Sequence, residues 1–174
     1  MSLRVRRLEA EDDRTRFRSG NIDLDRFFHR YAGQNQFRHH IGTTYVAVDD
    51  DETIVGFATV ASSELSTQLL PRPARKRLPR YPLPVLRLAR LAVDERARGL
   101  GVGGTLLRAV LLLAQKMALD FGCVGVVVDP KPEAVVFYEK LSFVALEVDA
   151  GQLGDRPQPV PMFLEIGNIP RSNP

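Results

Sequence analysis

The pattern of apolar and polar residues predicts three strands in the first part of the chain. In Leu3–Leu8 (LRVRRL) apolar residues alternate with basic ones, which is typical of an edge strand. TTYVAV (Thr43–Val48) and IVGFATVA (Ile54–Ala61) are rich in β-branched residues and flank the acidic turn Asp49–Glu52. We therefore expect these two segments to form a hairpin.

A helix is predicted between the first two strands, in the segment SGNIDLDRFFHRYAGQ. Asn21 or Asp23 can act as its N-cap, because a short polar side chain there accepts a hydrogen bond from a free backbone N–H group. The apolar residues that follow recur at helical spacing and predict one apolar face, formed by Leu24, Phe27, Phe28 and Tyr31.

The second half of the chain alternates strands and helices. VLRLARLAV (Val85–Val93) predicts a strand, and its alternation slips at Leu88–Leu91, which indicates a bulge or splay. A helix from about Gly103 to Phe121 follows, and then the fully apolar strand Val124–Val128, as in the middle of a sheet. The last predicted elements are a helix in PEAVVFYEKL, strands in SFVALEV and Met162–Ile166 (MFLEI), and a loop over Gly151–Pro161.

This order of elements predicts one mixed α/β domain over residues 1–174, without an internal repeat. Residues 63–84 are a long connection that contains five prolines. A connection of this length inside a compact domain is usually a binding or lid element.

The composition is that of an ordinary globular protein, with 44% hydrophobic and 26% charged residues among 174. No apolar stretch approaches the roughly 18 residues of a membrane span, and the N-terminus has no signal-peptide core. We therefore expect a cytoplasmic protein without a membrane partner. The single cysteine, Cys123, excludes an internal disulfide and a Cys-rich zinc site, and no metal site is predicted. Its apolar surroundings indicate an inert core thiol.

Basic residues are concentrated in one part of the chain. Between Pro71 and Arg98 there are nine basic residues and only two acidic ones. A solvated surface would explain such a segment, and so would a docking surface for the phosphates of a cofactor or of nucleic acid. The nine residues are Arg72, Arg75, Lys76, Arg77, Arg80, Arg87, Arg90, Arg96 and Arg98.

The segment RARGLGVGGTLL (Arg96–Leu107) contains four glycines in six residues and leads into a helix. It matches the G-x-G-x-x-G pattern of dinucleotide-binding proteins, but that pattern needs its first glycine directly at a strand end, and Asp94–Arg98 intervene here. In a better match, R-x-x-G-x-G, the backbone N–H groups turn inward and, with the helix dipole, bind a pyrophosphate. Arg96 and Arg98 can add charge-assisted contacts. A glycine-rich turn that serves only close packing is the alternative.

These motifs resemble the GNAT superfamily of N-acetyltransferases, whose pyrophosphate loop has this form between a bulged strand and a long helix. LARLAVDERARGLGVGG and AVVFYEKLSF carry the resemblance. The order of these and other segments over about residues 15–166 is similar to the acetyltransferase toxins of bacterial toxin–antitoxin pairs, which acetylate the amino group of aminoacyl-tRNA. The resemblance implies a mixed, mostly antiparallel central sheet with a splayed strand and flanking helices.

The resemblance also implies roles for individual residues. Tyr138 would be the general acid that protonates the departing CoA thiolate, whereas a core aromatic on an amphipathic helix is the alternative. The backbone at Leu91, Ala92 and Val93 would pair with the pantetheine arm of acetyl-CoA. The pyrophosphate would bind to Arg96, Arg98, Gly99, Leu100, Gly101, Val102, Gly103 and Gly104. A tRNA substrate would contact Arg72, Arg75, Lys76, Arg77, Arg80, Arg87 and Arg90.

Departures from the family pattern affect the substrate more than the cosubstrate. Ser142 replaces the glycine of F-Y-E-x-x-G-F, Ala89 replaces a common glycine, and FATVASSELS stands where the toxins have an aromatic-rich hairpin. No general base is evident, although Glu64, His29, His39 and His40 have the right chemistry.

Three functions remain open from the sequence. The first is an aminoacyl-tRNA acetyltransferase that acts as a toxin, with an antitoxin protein as its partner and with a homodimer as one oligomeric state. The second is a GNAT enzyme that acetylates a small-molecule or protein amine. The third is a non-catalytic acyl-CoA-binding module.

Overall fold

The computed structural model describes residues 2–147 and 160–170. Over these residues the chain forms seven strands and five α-helices. The strands are β1 (Arg4–Arg7), β2 (Thr43–Val48), β3 (Ile54–Leu65), β4 (Leu83–Val93), β5 (Gly125–Val128), β6 (Val144–Ala145) and β7 (Met162–Glu165). The helices are α1 (Ile22–Arg26), α2 (Ala32–Gln34), α3 (Arg72–Arg77), α4 (Val102–Asp120) and α5 (Val135–Glu139).

The strands form one sheet in the order β1-β2-β3-β4-β5-β7-β6. β1 lies at an edge, as its alternating pattern predicts, and pairs antiparallel with β2, which in turn pairs antiparallel with β3. β7 pairs antiparallel with both β5 and β6. The predicted α/β class, with a mixed and mostly antiparallel sheet and helices around it, is therefore confirmed.

Two compact units divide the chain: Met1–Ala61 with Leu88–Leu113, and Ser62–Arg87 with Ala114–Pro174. In the core of the first unit, the Phe28 and Phe57 rings stack with centroids 4.4 Å apart. The core of the second unit is a separate apolar cluster that contains Leu65, Leu70, Ala74, Leu83, Val85, Val127, Leu146 and Phe163.

The predicted N-terminal helix begins where its cap residue places it. Asn21 Oδ1 accepts a hydrogen bond of 3.0 Å from the Leu24 N–H group, so Asn21 is the N-cap. After α1 the chain continues through π-helical turns at Phe27–Tyr31 and Asn35–His39. Phe27 and Phe28 are buried, but Tyr31 is 45% exposed. Because a π-helical turn contains more residues than an α-helical one, the 3.6-residue spacing does not keep Tyr31 on the buried face.

The proline-rich connection is more regular than the sequence suggests. β3 continues to Leu65, four residues beyond its predicted end at Ala61. α3 then occupies Arg72–Arg77, with a proline in its first turn, where the missing N–H group costs no helical hydrogen bond. The predicted connection over residues 63–84 therefore contains the end of β3, a 3₁₀ turn at Thr67–Leu69 and α3, and its role as a binding or lid element stays a prediction.

The helix α4 bears on the expectation that the chain has no membrane-spanning segment. It is 19 residues long, with a mean hydropathy of 1.4, so by length and composition alone it is apolar enough to cross a membrane. The statement that no apolar stretch approaches a membrane span is thus wrong. Core helices of globular proteins pass the same test, and α4 buries Leu106, Leu107, Val110 and Ala114.

The C-terminal elements are shorter than predicted. β6 covers only two residues of SFVALEV, and α5 is a five-residue helix that follows a 3₁₀ turn at Pro132–Ala134. In β4, Val85 and Leu86 are both buried, so strict alternation of burial breaks there, before the predicted slip at Leu88–Leu91. A bulge or splay at Leu88–Leu91 stays a prediction. Most of the predicted loop Gly151–Pro161 lies outside the described residues.

Candidate functional site

The glycine-rich segment after β4 has a backbone conformation that requires glycine. Gly99 has φ of +77° and Gly101 has φ of +80°, in the left-handed region that other residues rarely adopt. A Cβ atom placed on Gly99, Gly101 or Gly104 would meet no atom within 4 Å. The backbone of this segment therefore faces open space at these three glycines.

The first turn of α4 adds backbone donors to the same segment. The Thr105 N–H group donates to the Gly101 carbonyl at 3.0 Å, which closes the first turn. The N–H groups of Val102, Gly103 and Gly104 precede this bond, so they have no acceptor within the helix. Together with the helix dipole they favour an anionic group, and the pyrophosphate of acetyl-CoA has the required charge.

Asp94 holds the turn that leads into the glycine segment. Its side chain is 1% exposed and accepts backbone hydrogen bonds from Arg96 at 3.0 Å and Arg18 at 3.1 Å. Burial acts to raise the pKa of Asp94, but the hydrogen bonds from Arg96 and Arg18 outweigh it, so the pKa lies below its usual value. This role is absent from the residues predicted above, although an aspartate after a strand is a typical cap.

Arg96 and Arg98 both have partners within the protein. Arg96 Nε and Nη2 donate to the two carboxylate oxygens of Asp94 at 2.9 and 3.1 Å, and its side chain is 60% exposed. Arg98 Nη2 donates to the Ser19 carbonyl at 2.6 Å. Arg96 is thus preorganised and accessible to an anion, whereas Arg98 ties the glycine segment to the residues before α1.

The end of β4 is held close to β3 and α4. The Asp94 N–H group donates to the Val55 carbonyl at 2.8 Å. A Cβ atom on Gly56 would lie 2.6 Å from Val102 Cγ1 and 3.1 Å from the Ala92 carbonyl oxygen, so only glycine permits this packing. Ala92 is buried and its neighbours Leu91 and Val93 are half-buried. Their pairing with pantetheine stays a prediction.

Tyr138 on α5 is 4% exposed and packs edge-on against Phe137 and Phe143, with ring centroids 5.1 and 5.3 Å away. Burial raises the pKa of Tyr138 to about 12, so the hydroxyl stays protonated at neutral pH and is available as a donor. The ring is a core aromatic, as the alternative interpretation expects, and the role of Tyr138 as general acid stays a prediction.

Ser142, which replaces a family glycine, lies in the turn after α5. Its φ is +72°, in the left-handed region. The Phe143 N–H group after it donates to the Tyr138 carbonyl at 3.2 Å. A non-glycine residue in this conformation costs about 1–2 kcal/mol, which gives a physical reason for the glycine of the family pattern.

The structure divides the nine basic residues into groups with different surroundings. Arg90 lies with its guanidinium 3.7 Å from the centre of the Phe27 ring, and burial lowers its pKa. Four others form ion pairs: Arg75 with Glu147, Arg77 with Glu165, Arg87 with Asp129, and Arg96 with Asp94. The segment therefore offers less free positive charge than its sequence suggests.

Three basic residues remain accessible on and after α3. Arg72, Lys76 and Arg80 are exposed, and within the described part of their own unit no carboxylate lies within 4 Å of them. Phosphates that bind to this region would therefore meet these three side chains without displacing an ion pair.

The remaining candidates are the residues considered as a general base, the single cysteine and any metal site. His29 Nε2 lies 2.8 Å from the Phe17 carbonyl, and Glu64 and His40 are exposed, as is His39. Cys123 is buried, and burial raises the pKa of its thiol, as expected of an inert residue. In residues 2–147 and 160–170, no group of His, Cys, Asp and Glu has the arrangement of a metal site.

A family model described as Acetyltransferase (GNAT) domain matches residues 40–145. The chain belongs to the GNAT acetyltransferase family. The match runs from just before β2 to the end of β6 and includes the glycine segment and Tyr138. As a GNAT member, the chain is an acetyl-CoA-dependent N-acetyltransferase, and the predicted cosubstrate is confirmed.

Two relatives of this GNAT chain carry toxin names. The tRNA-acetylating toxin of Mycobacterium tuberculosis is 32% identical over 139 residues, which cover 79% of this chain and 82% of that protein. The probable toxin TacT of Sinorhizobium fredii is 28% identical over 166 residues, or 90% of this chain and 87% of that protein.

Solved structures of GNAT toxins share the fold. AtaT complexed with acetyl-methionyl-tRNA superimposes with a TM-score of 0.83 at 23% identity, over 95% of this chain and 96% of that one. A mutant of KacT superimposes with a TM-score of 0.82 at 22% identity, over 96% of both chains.

Proposed function

We propose that this enzyme acetylates the α-amino group of aminoacyl-tRNA in the cytoplasm and acts as the toxin of a toxin–antitoxin pair. The observation that carries the proposal is the similarity to the tRNA-acetylating toxin over most of both chains. The exposed cations Arg72, Lys76 and Arg80 support it, because a polyanionic acceptor needs accessible positive charge.

The glycine segment would hold the cosubstrate. Gly99–Gly104 would donate backbone hydrogen bonds to the pyrophosphate, and Arg96, already oriented by Asp94, would add a charged contact. Leu91, Ala92 and Val93 would pair with the pantetheine arm as an added strand does. Acetyl-CoA supplies the acetyl group as a reactive thioester.

Tyr138 would donate its proton to the leaving sulfur. As the amine nitrogen bonds to the acetyl carbon, the C–S bond breaks and the sulfur gains negative charge, which a buried donor stabilises. An α-amine whose carboxyl group is esterified to tRNA has a lowered pKa, so a useful fraction is neutral without a dedicated general base.

The same cations would also attract an acidic antitoxin. AtaT has been solved with the C-terminus of its antitoxin AtaR. For this chain an antitoxin partner is part of the proposal, and a homodimer stays a prediction.

A variant with Arg72→Ala, Lys76→Ala and Arg80→Ala tests the proposal in the absence of any partner protein. We expect weaker binding of purified aminoacyl-tRNA and a salt dependence whose log–log slope flattens by roughly 0.7–0.9 for each phosphate that is no longer neutralised. Acetyl-CoA affinity should not change. The measurement is a tRNA titration at several salt concentrations, together with calorimetry of acetyl-CoA.

A matched control removes the same charge elsewhere, with Arg4→Ala, Arg7→Ala and Arg26→Ala, all exposed residues of β1 and α1. This control should keep the wild-type salt slope. The acceptor is a small amine instead if two results are found together: the variant without Arg72, Lys76 and Arg80 acetylates a small amine at full rate, and the wild type shows no tRNA affinity at physiological salt.

A further inference from the structure

Tyr81 is an exposed aromatic residue within the basic connection. Tyr81 lies between Arg80 and Pro82 in the chain. It is 63% exposed, which is one of the largest values for an aromatic residue in the described part of the chain. Within residues 2–147 and 160–170, no side-chain hydrogen bond or core contact of the Tyr81 ring accounts for its position. An exposed aromatic residue next to cations is a feature that needs an explanation.

The backbone that carries Tyr81 is fixed. The buried Thr67 hydroxyl donates to the Pro79 carbonyl at 2.6 Å and lies 3.4 Å from the Tyr81 carbonyl oxygen. Pro82 restricts Tyr81 to extended conformations, and Pro79 has a fixed φ of its own. The ring is therefore presented to solvent from a rigid turn, and binding a partner to it costs little backbone entropy.

The helix before this turn is anchored by its inner side. Ala74 of α3 is buried in the core of the second unit, and the ion pairs of Arg75 and Arg77 bind α3 to Glu147 and Glu165. These contacts occupy one set of cations and leave Arg72, Lys76 and Arg80 exposed. No aspartate or glutamate occurs between Glu64 and Asp94, so every charged side chain of the connection itself is positive.

We propose that Tyr81 stacks on an unpaired base of RNA, while Arg72, Lys76 and Arg80 hold the adjoining phosphates. The inference rests on the proposed function, because the RNA would be the tRNA acceptor. An aromatic platform beside cations is the chemistry that binds single-stranded nucleic acid, since every base has a face that stacks and every nucleotide carries a phosphate. An acidic peptide would need the cations but not the ring.

The test compares Tyr81→Ala, Tyr81→Phe and Arg80→Ala in the full chain. With a single-stranded RNA oligomer as the probe, Tyr81→Ala should bind roughly 5- to 150-fold more weakly, the range for loss of one stacked base, with an unchanged salt slope. Tyr81→Phe keeps the ring and should bind like the wild type. Arg80→Ala should instead flatten the slope by roughly 0.7. Tyr31→Ala is the matched control, because Tyr31 is also an exposed tyrosine.

A blunt-ended RNA duplex of the same length should show no loss with Tyr81→Ala, because its bases stack on each other. Equal single-strand affinity of Tyr81→Ala and the wild type would overturn the inference, and so would an equal loss for the duplex. Such a result in a protein that still acetylates aminoacyl-tRNA overturns the stacking role alone. A wild type that acetylates no aminoacyl-tRNA overturns the proposed function.

Discussion

Tyr138 is the residue that we propose as the general acid, and its environment bears on that role. Its ring is held by Phe137 and Phe143, and burial raises the pKa of Tyr138 to about 12. A group with a raised pKa holds its proton throughout the range in which the enzyme works. Loss of activity from its deprotonation is therefore expected only as the pH approaches about 12.

Tyr138→Phe removes the hydroxyl and keeps the packed ring. We expect kcat to fall by something like the 10²–10⁴-fold typical of a lost general acid, because the leaving sulfur no longer receives a proton. The Kd for acetyl-CoA and the melting temperature should hardly change. Steady-state kinetics beside calorimetry checks this, and wild-type turnover in the variant would show that the hydroxyl has no chemical role.

Single residues differ in how far the sequence identifies them. Tyr138 and Gly101 follow from local motifs, and Gly101 indeed has a positive φ. Asp94, Gly56 and Tyr81 do not. Asp94 and Gly56 make contacts with distant segments, and Tyr81 is distinguished by its exposure, which the sequence does not reveal. Gly56, for example, matters because Val102 and the Ala92 carbonyl lie close against it.

The turn from β4 into α4 is the element that we propose for cosubstrate binding. Its glycines face open space, Asp94 caps the preceding turn, and the first turn of α4 leaves backbone N–H groups without helical acceptors. These features leave backbone donors, rather than side chains, facing the space in which we propose that the pyrophosphate binds.

Gly101→Glu should abolish acetyl-CoA binding. The new side chain fills the space in front of the loop, its charge repels the pyrophosphate, and the φ of +80° is strained for any residue with a Cβ atom. Calorimetry of the folded variant measures the affinity. Gly167→Glu is the control, because Gly167 also faces open space, and it should bind normally. Unchanged affinity in Gly101→Glu would contradict the assignment of this loop.

Elements with a clear hydrophobic pattern are predictable from the sequence. Elements whose pattern is interrupted by prolines or by π-helical turns are not. The strands β1, β2 and β5 lie close to their predicted bounds because alternation or a continuous apolar run defines them. The sequence does not predict α3, because five prolines lie in or near it and prolines usually indicate a loop. A proline in the first turn is nevertheless compatible with a helix. The π-helical turns Phe27–Tyr31 and Asn35–His39 have no such periodic signal.

For the molecule as a whole, we propose that this GNAT acetyltransferase uses a basic surface to recognise aminoacyl-tRNA. Membership of the family follows from a match over residues 40–145. The sequence predicts one domain over residues 1–174, and this stays a prediction. Binding of a tRNA acceptor would depend on the positive surface charge. The ion pairs of Arg75, Arg77 and Arg87 reduce that charge, and composition alone does not reveal this.

One measurement tests the acceptor directly. The purified enzyme is incubated with acetyl-CoA and a mixed pool of aminoacyl-tRNAs, in parallel with a panel of small amines, and the products are identified by mass spectrometry after the tRNA is digested. We expect an acetyl group on the α-amine of at least one aminoacyl-adenosine, and none when Tyr138→Phe replaces the wild type on the same timescale. Turnover of a small amine without acetylation of any aminoacyl-tRNA would contradict the claim.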